Sequence, residues 1–491
     1  MTPVAGPPKT NVRLLVAAGA ASALAGVNIA TIQVALPTIA RHFDASPGAA
    51  SWTLLSYLVV FTVMVLILGR ISDVWGHGRM YLTGLGTLTV ASLLCGFAPT
   101  IEVLIALRCL QALGAAAMMC NIVALVAAAV PRERLAAAIG VNFTLGSLCQ
   151  VLGPGVGGLL ASSLGWRSVF WFNVPLGVLS LLLAVGAVPS SPKPQQQQRF
   201  DWIGALLVSC LLGGLVIGVT EGGLLGWTHP LASVSMIIFA MTTPLFIVSQ
   251  HRCAHPLLDL RLFRHPVRGP AYGSVFFLGM SYYAVVALMS LYLQAARGLS
   301  AAETGLQVLA LALAMTAATP ISGMLGARFP ARVVATTGAA LVTIGLVGLT
   351  FSLTTQIWLP VCMGVVGAGV GLFMAPNTDD ILGSVTPDSR ALANGARQCI
   401  QNVGYTLSTA VFLAIVAAPL DDVERRAAYS GTLSDVADSS AEIFTAAFRV
   451  ALLVAAGLGL AATLVSLMRP RRTDEPSATS GAGEKADAVS P

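Results

Sequence analysis

The residues of this sequence that could do chemistry are polar side chains lying inside stretches that are otherwise apolar. Arg108 and Gln111 share one such stretch, and Asn28 and Gln33 share an earlier one. The adjacent acids Asp379 and Asp380 follow Pro376 and Asn377, while Arg397, Gln401 and Asn402 lie in the next apolar run. Glu221 closes another. An arginine in the middle of a hydrocarbon-length helix costs about 2.5 to 3.5 kcal/mol even on insertion-based scales, so Arg108 is expected to face protein or a water-filled cavity and to have a partner. Two neighbouring carboxylates in a poorly hydrated place could load and release a proton. If the helix instead ends at Asn377, both are solvated near Arg390. Spacing of i and i+4 sets Arg397 with Gln401, and Gln398 with Asn402, on adjoining helix faces, and Asp379 or Asp380 could pair with Arg397. No nucleophile with a base, metal cluster or cofactor loop accompanies them, which argues against an enzyme, a cofactor or a metal. All six histidines (His42, His77, His229, His251, His255 and His265) fall in loops and cannot relay protons across the membrane.

The elements that must position these groups follow from composition. Of 491 residues, 56% are hydrophobic and 10% charged, against roughly 25% charged in soluble domains. The chain is therefore expected to be an all-α polytopic membrane protein. A span needs about 20 apolar residues, and fourteen runs pass that test. The apolar run that follows Arg13 is too long for a signal peptide and reads as a retained first span. A glutamine-rich break at 189–199 follows the sixth run. The expected organisation is a six-helix bundle over 1–188, a linker, two-helix insert and connector over 189–268, a second six-helix bundle over 269–468, and a disordered cytoplasmic tail over 469–491. Basic residues concentrate in alternate loops, which puts both termini in the cytoplasm. The net charge of +6 is scattered over these loops, favouring contact with anionic membrane lipids over nucleic acid. Eight cysteines without a CxxC pattern read as small apolar fillers. At about 1.5 Å rise per residue, Asn28 and Arg108 could share a depth in the membrane.

Four motifs then carry a family resemblance. The turn containing Gly69, Asp73, Gly76 and Arg79 resembles the signature loop between the second and third helices of the major facilitator superfamily. Arg108 to Gly114 resembles the fourth-helix motif of that family, with Ala112 in place of a glycine. Gly153, Pro154, Gly157 and Gly158 match the fifth-helix motif of its exporters, and Trp166 to Gly177 the entry to the sixth span. Six helices, two, then six more resemble, end to end, the fourteen-span drug:proton antiporter branch. That resemblance implies the major facilitator fold, efflux of a small lipophilic drug-like substrate in exchange for protons, and rocking of two bundles about a central cavity. It implies a monomer in the bacterial plasma membrane, and for Asp73 a gating contact with a neighbouring helix end.

The chain also departs from the branch. Asn28 stands where the branch carries aspartate, and an amide has no proton to release near neutral pH. Coupling through the first span is thereby placed in doubt, and the cavity is expected to suit quaternary amines poorly. Ala327 replaces the aspartate in the second-half echo of the signature loop, and Gln401 stands where the branch often has arginine, a charge that Arg397 could supply from one turn away. A lipid or metabolite facilitator without proton coupling, an uptake carrier and a receptor that moves nothing are the competing readings.

Overall fold

The computed structural model describes residues 11–131, 135–188, 201–253, 263–326, 328–353, 357–385, 390–432 and 438–470. They form α1 (Val12–Phe43), α2 (Pro47–Trp75), α3 (His77–Cys95), α4 (Ile101–Ala129), α5 (Leu135–Ser163), α6 (Arg167–Trp171) and α7 (Asn173–Ala184). These are followed by α8 (Trp202–Leu225), α9 (Pro230–Arg252), α10 (Arg268–Tyr282), α11 (Val285–Ala295) and α12 (Ala301–Gly326). The chain continues through α13 (Ala331–Ser352), α14 (Trp358–Leu382), α15 (Arg390–Ala417), α16 (Asp422–Ser430) and α17 (Asp438–Leu467). Helix is the open-chain structure that satisfies its own backbone polar groups without water, so long apolar runs have no other stable choice in lipid. Among the described residues, 12 helices are long and apolar enough to cross a membrane, where the sequence led us to expect fourteen. In that count α6 with α7, and α10 with α11, each act as one rod. The other two expected spans, the third and the fifth, are the 19-residue α3 and α5, many of whose side chains lie outside the described set.

Two expected spans are broken. Pro175 has no N–H to donate to the carbonyl of Trp171, and the helix interrupts at Phe172. Between α10 and α11 the backbone N–H of Ala284 is taken by Ser408 Oγ of α15 at 3.1 Å. Elsewhere the helices outrun expectation. Helix α1 continues through Pro37 to Phe43, and α14 continues through Pro376 and Asn377, so it does not end before its acids. Between α15 and α17 lies the short α16, whose N-terminus is closed by a reciprocal capping box of Asp421 and Glu424.

The packing repeats. In the first half α1 lies on α5 and α7, α2 on α4, and α3 on α4 and α7. In the second half α10 lies on α15 and α17, α12 on α14, and α13 on α14 and α17. Contacts between the halves exchange in the same sense, α5 with α12 and α2 with α15. Helix α8 seats against both α2 and α15, while the membrane-length window of α9 is only 17% buried, leaving that helix facing outward. The linker 189–200, the connector 254–262, Ala327 and the tail from 471 lie outside the described residues.

The halves join at the end opposite the helix ends Asn11 and Arg469, here called the far end. There Arg41 donates to the carbonyls of Ser430 and Gly431 at 2.9 and 3.3 Å, and Gln294 Nε2 donates to the Val34 carbonyl at 3.0 Å. Ser51 Oγ donates to the Tyr429 hydroxyl at 3.1 Å, which burial pushes up to about 12, so it stays neutral. A single apolar core runs through both halves at this end, from Ile39 and Phe170 to Phe412 and Phe448. Midway, Thr62 and Thr406 share a hydrogen bond at 3.2 Å. Nearer the terminal end no hydrogen bond between described residues joins the halves, and a cleft lies between them.

Candidate functional site

The site lies in this cleft. A partly open pocket of about 60 Å³ sits between α1 and α5 on one side and α10, α11 and α12 on the other. Its wall is mostly apolar (Ile29, Ala30, Val286, Leu311, Ala312 and Met315), with Gln33, Gln150, Tyr282 and Tyr283 as its polar atoms and Pro154 of α5 at its edge.

Behind the first-half wall stands Arg108, 1% exposed. Its Nη1 donates to Asn28 Oδ1 at 3.0 Å and to Gln111 Oε1, and its Nε donates to the Thr53 carbonyl at 3.2 Å. Gln111 passes the chain on by donating to Ser92 Oγ at 2.7 Å. The guanidinium also stacks over the Tyr57 ring, 4.3 Å from its centroid. The depth match between Asn28 and Arg108 is therefore a direct contact. Every acceptor in it is neutral. The Asn28 Nδ2 donor is buried without a hydrogen-bond partner.

The second-half wall carries a matching chain. Arg397 donates from Nη1 to Gln401 Oε1 at 3.1 Å and from Nε to Asn394 Oδ1 at 3.2 Å. Gln401 Nε2 then donates to the Tyr405 hydroxyl at 2.7 Å, and Tyr405 shares a 2.7 Å bond with the hydroxyl of Tyr282. Tyr283 stacks on Tyr405 with ring centroids 4.0 Å apart and lies in the same buried cluster as Tyr57. Tyr405, Tyr282 and Tyr283, which sequence reasoning missed, thus bridge the two arginine systems. Their signal was the interruption of the helix at 283–284, which reads in sequence as unbroken. Asn402 does not join this chain; its carbonyl accepts from Thr406, the residue that meets Thr62.

The acids stand elsewhere. Asp380 pairs at 2.8 Å with Arg469, not with Arg397. Arg469, expected in a solvated tail, is 1% exposed, and it also donates to Ser274 of α10. Asn377 braces the same place by donating to Ser274 Oγ and to the Ala271 carbonyl. Asp379 is exposed. Glu221 accepts from Trp52 Nε1 at 2.9 Å, joining α8 to the first turns of α2 near the far end. Neither Arg108 nor Arg397 has a carboxylate within ion-pair distance among the described residues.

The glycine motif of α5 works through close approach. A Cβ on Gly153 would lie 2.3 Å from Ala30 Cβ, and one on Gly157 would lie 2.6 Å from Thr31 Cα, both in α1. Gly158 faces the other half, where a Cβ would lie 2.2 Å from the Ala301 carbonyl oxygen at the start of α12. In the loop motif, Gly76 adopts φ 98°, a conformation open to glycine, and Arg79 is exposed. Gly69 lies in α2, and the side chain of Asp73 lies outside the described residues.

Comparison with known proteins agrees with this architecture. The family profile described as Major Facilitator Superfamily matches residues 18–257 and 271–491. The chain is 33% identical over 412 residues to the Multidrug resistance protein Stp of Mycobacterium tuberculosis (strain CDC 1551 / Oshkosh), covering 84% of this chain and 76% of that protein. It is 28% identical to the Riboflavin transporter RibZ of Clostridioides difficile (79% and 84% covered) and 26% identical to the Methylenomycin A resistance protein of Streptomyces coelicolor (83% and 86% covered). Among solved structures, a bacterial homolog of the human lysosomal transporter Spinster, in an inward-facing and unoccupied conformation, superposes with a TM-score of 0.63. It covers 95% of this chain and 98% of its own at 15% identity, a likeness of fold alone. With the family profile spanning nearly the whole chain over a cleft between two repeated helical halves, this chain belongs to the Major Facilitator Superfamily, multi-pass membrane transporters of small molecules rather than enzymes.

Proposed function

We propose that this transporter exports lipophilic drug-like compounds by alternating access of two six-helix bundles, in exchange for protons. In this reading the chain spans a bacterial plasma membrane fourteen times, with both termini in the cytoplasm and the far end outside. The observation that carries it is the contact of Gly158 with Ala301: the bundles touch backbone to backbone at the far end, with a mostly apolar, partly open pocket between them. Such a contact has two arrangements, closed and parted, as alternating access requires. The names of the multidrug and methylenomycin resistance relatives support the direction of flux and the class of cargo.

Proton exchange in this reading bypasses the first span, because Arg108 is held there by the amide of Asn28. Glu221, Asp379 and Asp380 are the acids left to carry it. A second reading, a lipid or metabolite facilitator without coupling, draws on the same amide.

The test uses energised cells loaded with a neutral lipophilic fluorophore. Expression should speed its loss, and an uncoupler should abolish the gain. Faster accumulation would overturn the export reading. Full gradient-dependent efflux by Glu221→Gln, Asp379→Asn and Asp380→Asn alike would overturn coupling through these acids.

A further inference from the structure

We infer that the preferred cargo is a lipophilic anion, a small amphiphile whose apolar body fills the pocket and whose single negative group meets Arg397. This rests on the reading of the cleft as the transport site and names the substrate class that the site takes. Four observations carry it.

First, each half carries a buried or half-buried arginine, and among the described residues no carboxylate offsets either charge. Arg108 and Arg397 each donate to neutral amides and carbonyls, and among the described residues neither has an acid within ion-pair distance. A full charge in a low-dielectric place that lacks a counter-ion is unfavourable, and an incoming anion relieves it. An incoming cation makes it worse.

Second, the two arginines differ in what a ligand can reach. Arg108 is enclosed and can act only through its field. Arg397 is half-buried, and its Nε and Nη1 atoms are engaged with Asn394 and Gln401 while its Nη2 has no acceptor among the described residues. A planar guanidinium with a free edge is suited to a carboxylate, phosphate or sulfonate.

Third, the two parts of the site are spaced for an amphiphile. Tyr282 and Tyr283 belong to the pocket, and Tyr405, bonded to one and stacked on the other, starts a polar line that runs down α15 through Gln401 to Arg397. Tyr405 and Arg397 are two turns apart, roughly 12 Å along the helix. An apolar body in the pocket can therefore place an acidic group at Arg397.

Fourth, among the described residues two of the acids that could reverse this field are committed elsewhere. Asp380 is bound to Arg469 at the base of the second half and Glu221 to Trp52 near the far end, while Asp379 is exposed and makes no ion pair with Arg397.

The experiment is equilibrium binding to the purified full-length protein in detergent, using three probes with one naphthyl body: the carboxylate, its methyl ester and its trimethylammonium counterpart. The carboxylate is expected to bind at least about tenfold more tightly than the ester, as a charge-assisted hydrogen bond commonly gives, and the cation more weakly than both. Arg397→Gln should erase the difference between acid and ester; Arg397→Lys should retain part of it. A purely structural Arg397 would lower thermal stability and leave the ratio alone, which would overturn the inference. So would equal binding of all three probes, preference for the cation, or no binding of the carboxylate. Binding requires neither flux nor a proton gradient, so its outcome separates from that of the export reading. A parallel measurement with vesicles of anionic phospholipid replacing the probe distinguishes a lipid headgroup from a free amphiphile: competition by the lipid at Arg397 assigns the site to headgroups, and its absence assigns it to soluble anions.

Discussion

Gly158→Ala is the substitution that probes the junction of the two halves most sharply. A Cβ at this position would sit 2.2 Å from the carbonyl oxygen of Ala301, 3.0 Å from its carbonyl carbon and 3.3 Å from Ala302 Cα. These are backbone atoms of α12, with no side chain that can swing aside. The start of α12 must withdraw by about 1 Å to reach ordinary contact, and overpacking of this kind typically costs about 1 to 3 kcal/mol. That cost falls only on the arrangement in which α5 and α12 touch, so the balance between closed and parted far ends should shift by roughly 5- to 150-fold toward the parted one. Labels introduced as unnatural amino acids at the exposed Leu164 and Ser300, on either side of the junction, would report it by pulsed electron resonance. The variant should gain a population at longer distance. Gly26→Ala is the control, because its Cβ would meet the Gly146 carbonyl oxygen at 2.3 Å wholly within the first half. It should lower yield and thermal stability without altering the distances. An unchanged distance distribution in a stably folded Gly158→Ala protein would refute the claim that this contact distinguishes two states.

Three other substitutions follow from the same geometry. Asn28→Asp would place a carboxylate against Arg108; an attraction of about 4 kcal/mol at an effective dielectric near 20 is set against a desolvation cost of several kcal/mol, so thermal stability should hardly move. Anion binding should nonetheless weaken, and undiminished anion affinity would mean that the field of Arg108 does not reach the ligand. Asp380→Asn leaves Arg469 buried without its counter-ion and should destabilise the second half by about 3 kcal/mol, read as a lower thermal midpoint in detergent; an unchanged midpoint would show that Ser274 alone suffices. Arg41→Gln removes both bonds from α1 to the end of α16 and should speed hydrogen exchange across 422–431, while equal exchange would show that α16 holds by its apolar contacts.

How much of this was legible in the sequence depends on how local the determining physics is. Helix positions were legible, because a run of about 20 apolar residues has one stable form in lipid. The contact of Asn28 with Arg108 was legible as a match of depth, since both distances count from a helix end. The second half was harder to read. Arg469 lies 89 positions from Asp380 and follows the last apolar run, so it looked like a tail residue; only the packing of α17 against α10 brings it beneath α14. The tyrosine bridge was hidden for another reason. Tyr282, Tyr283 and Ala284 are ordinary helix residues, and the break among them is made by Ser408 from another helix. Pro175, by contrast, carries a local cause for the break, its missing N–H, whereas α14 continues through Pro376. The nine-residue α16 has a local signal in Asp421 and Glu424, at the spacing of a capping box, but is too short for the test of apolar length.

The central claim, export in exchange for protons, is tested most directly with purified protein in liposomes that enclose a pH-sensitive dye. A proton gradient is imposed, and anionic, neutral and cationic lipophilic compounds are added in turn. Exchange predicts that substrate dissipates the gradient, that protein-free liposomes do not respond, and that the anion and neutral compounds act more strongly than the cation. Substrate flux demonstrated in the same liposomes without any proton movement would contradict it, and would make Asn28 the mark of a transporter that has lost coupling.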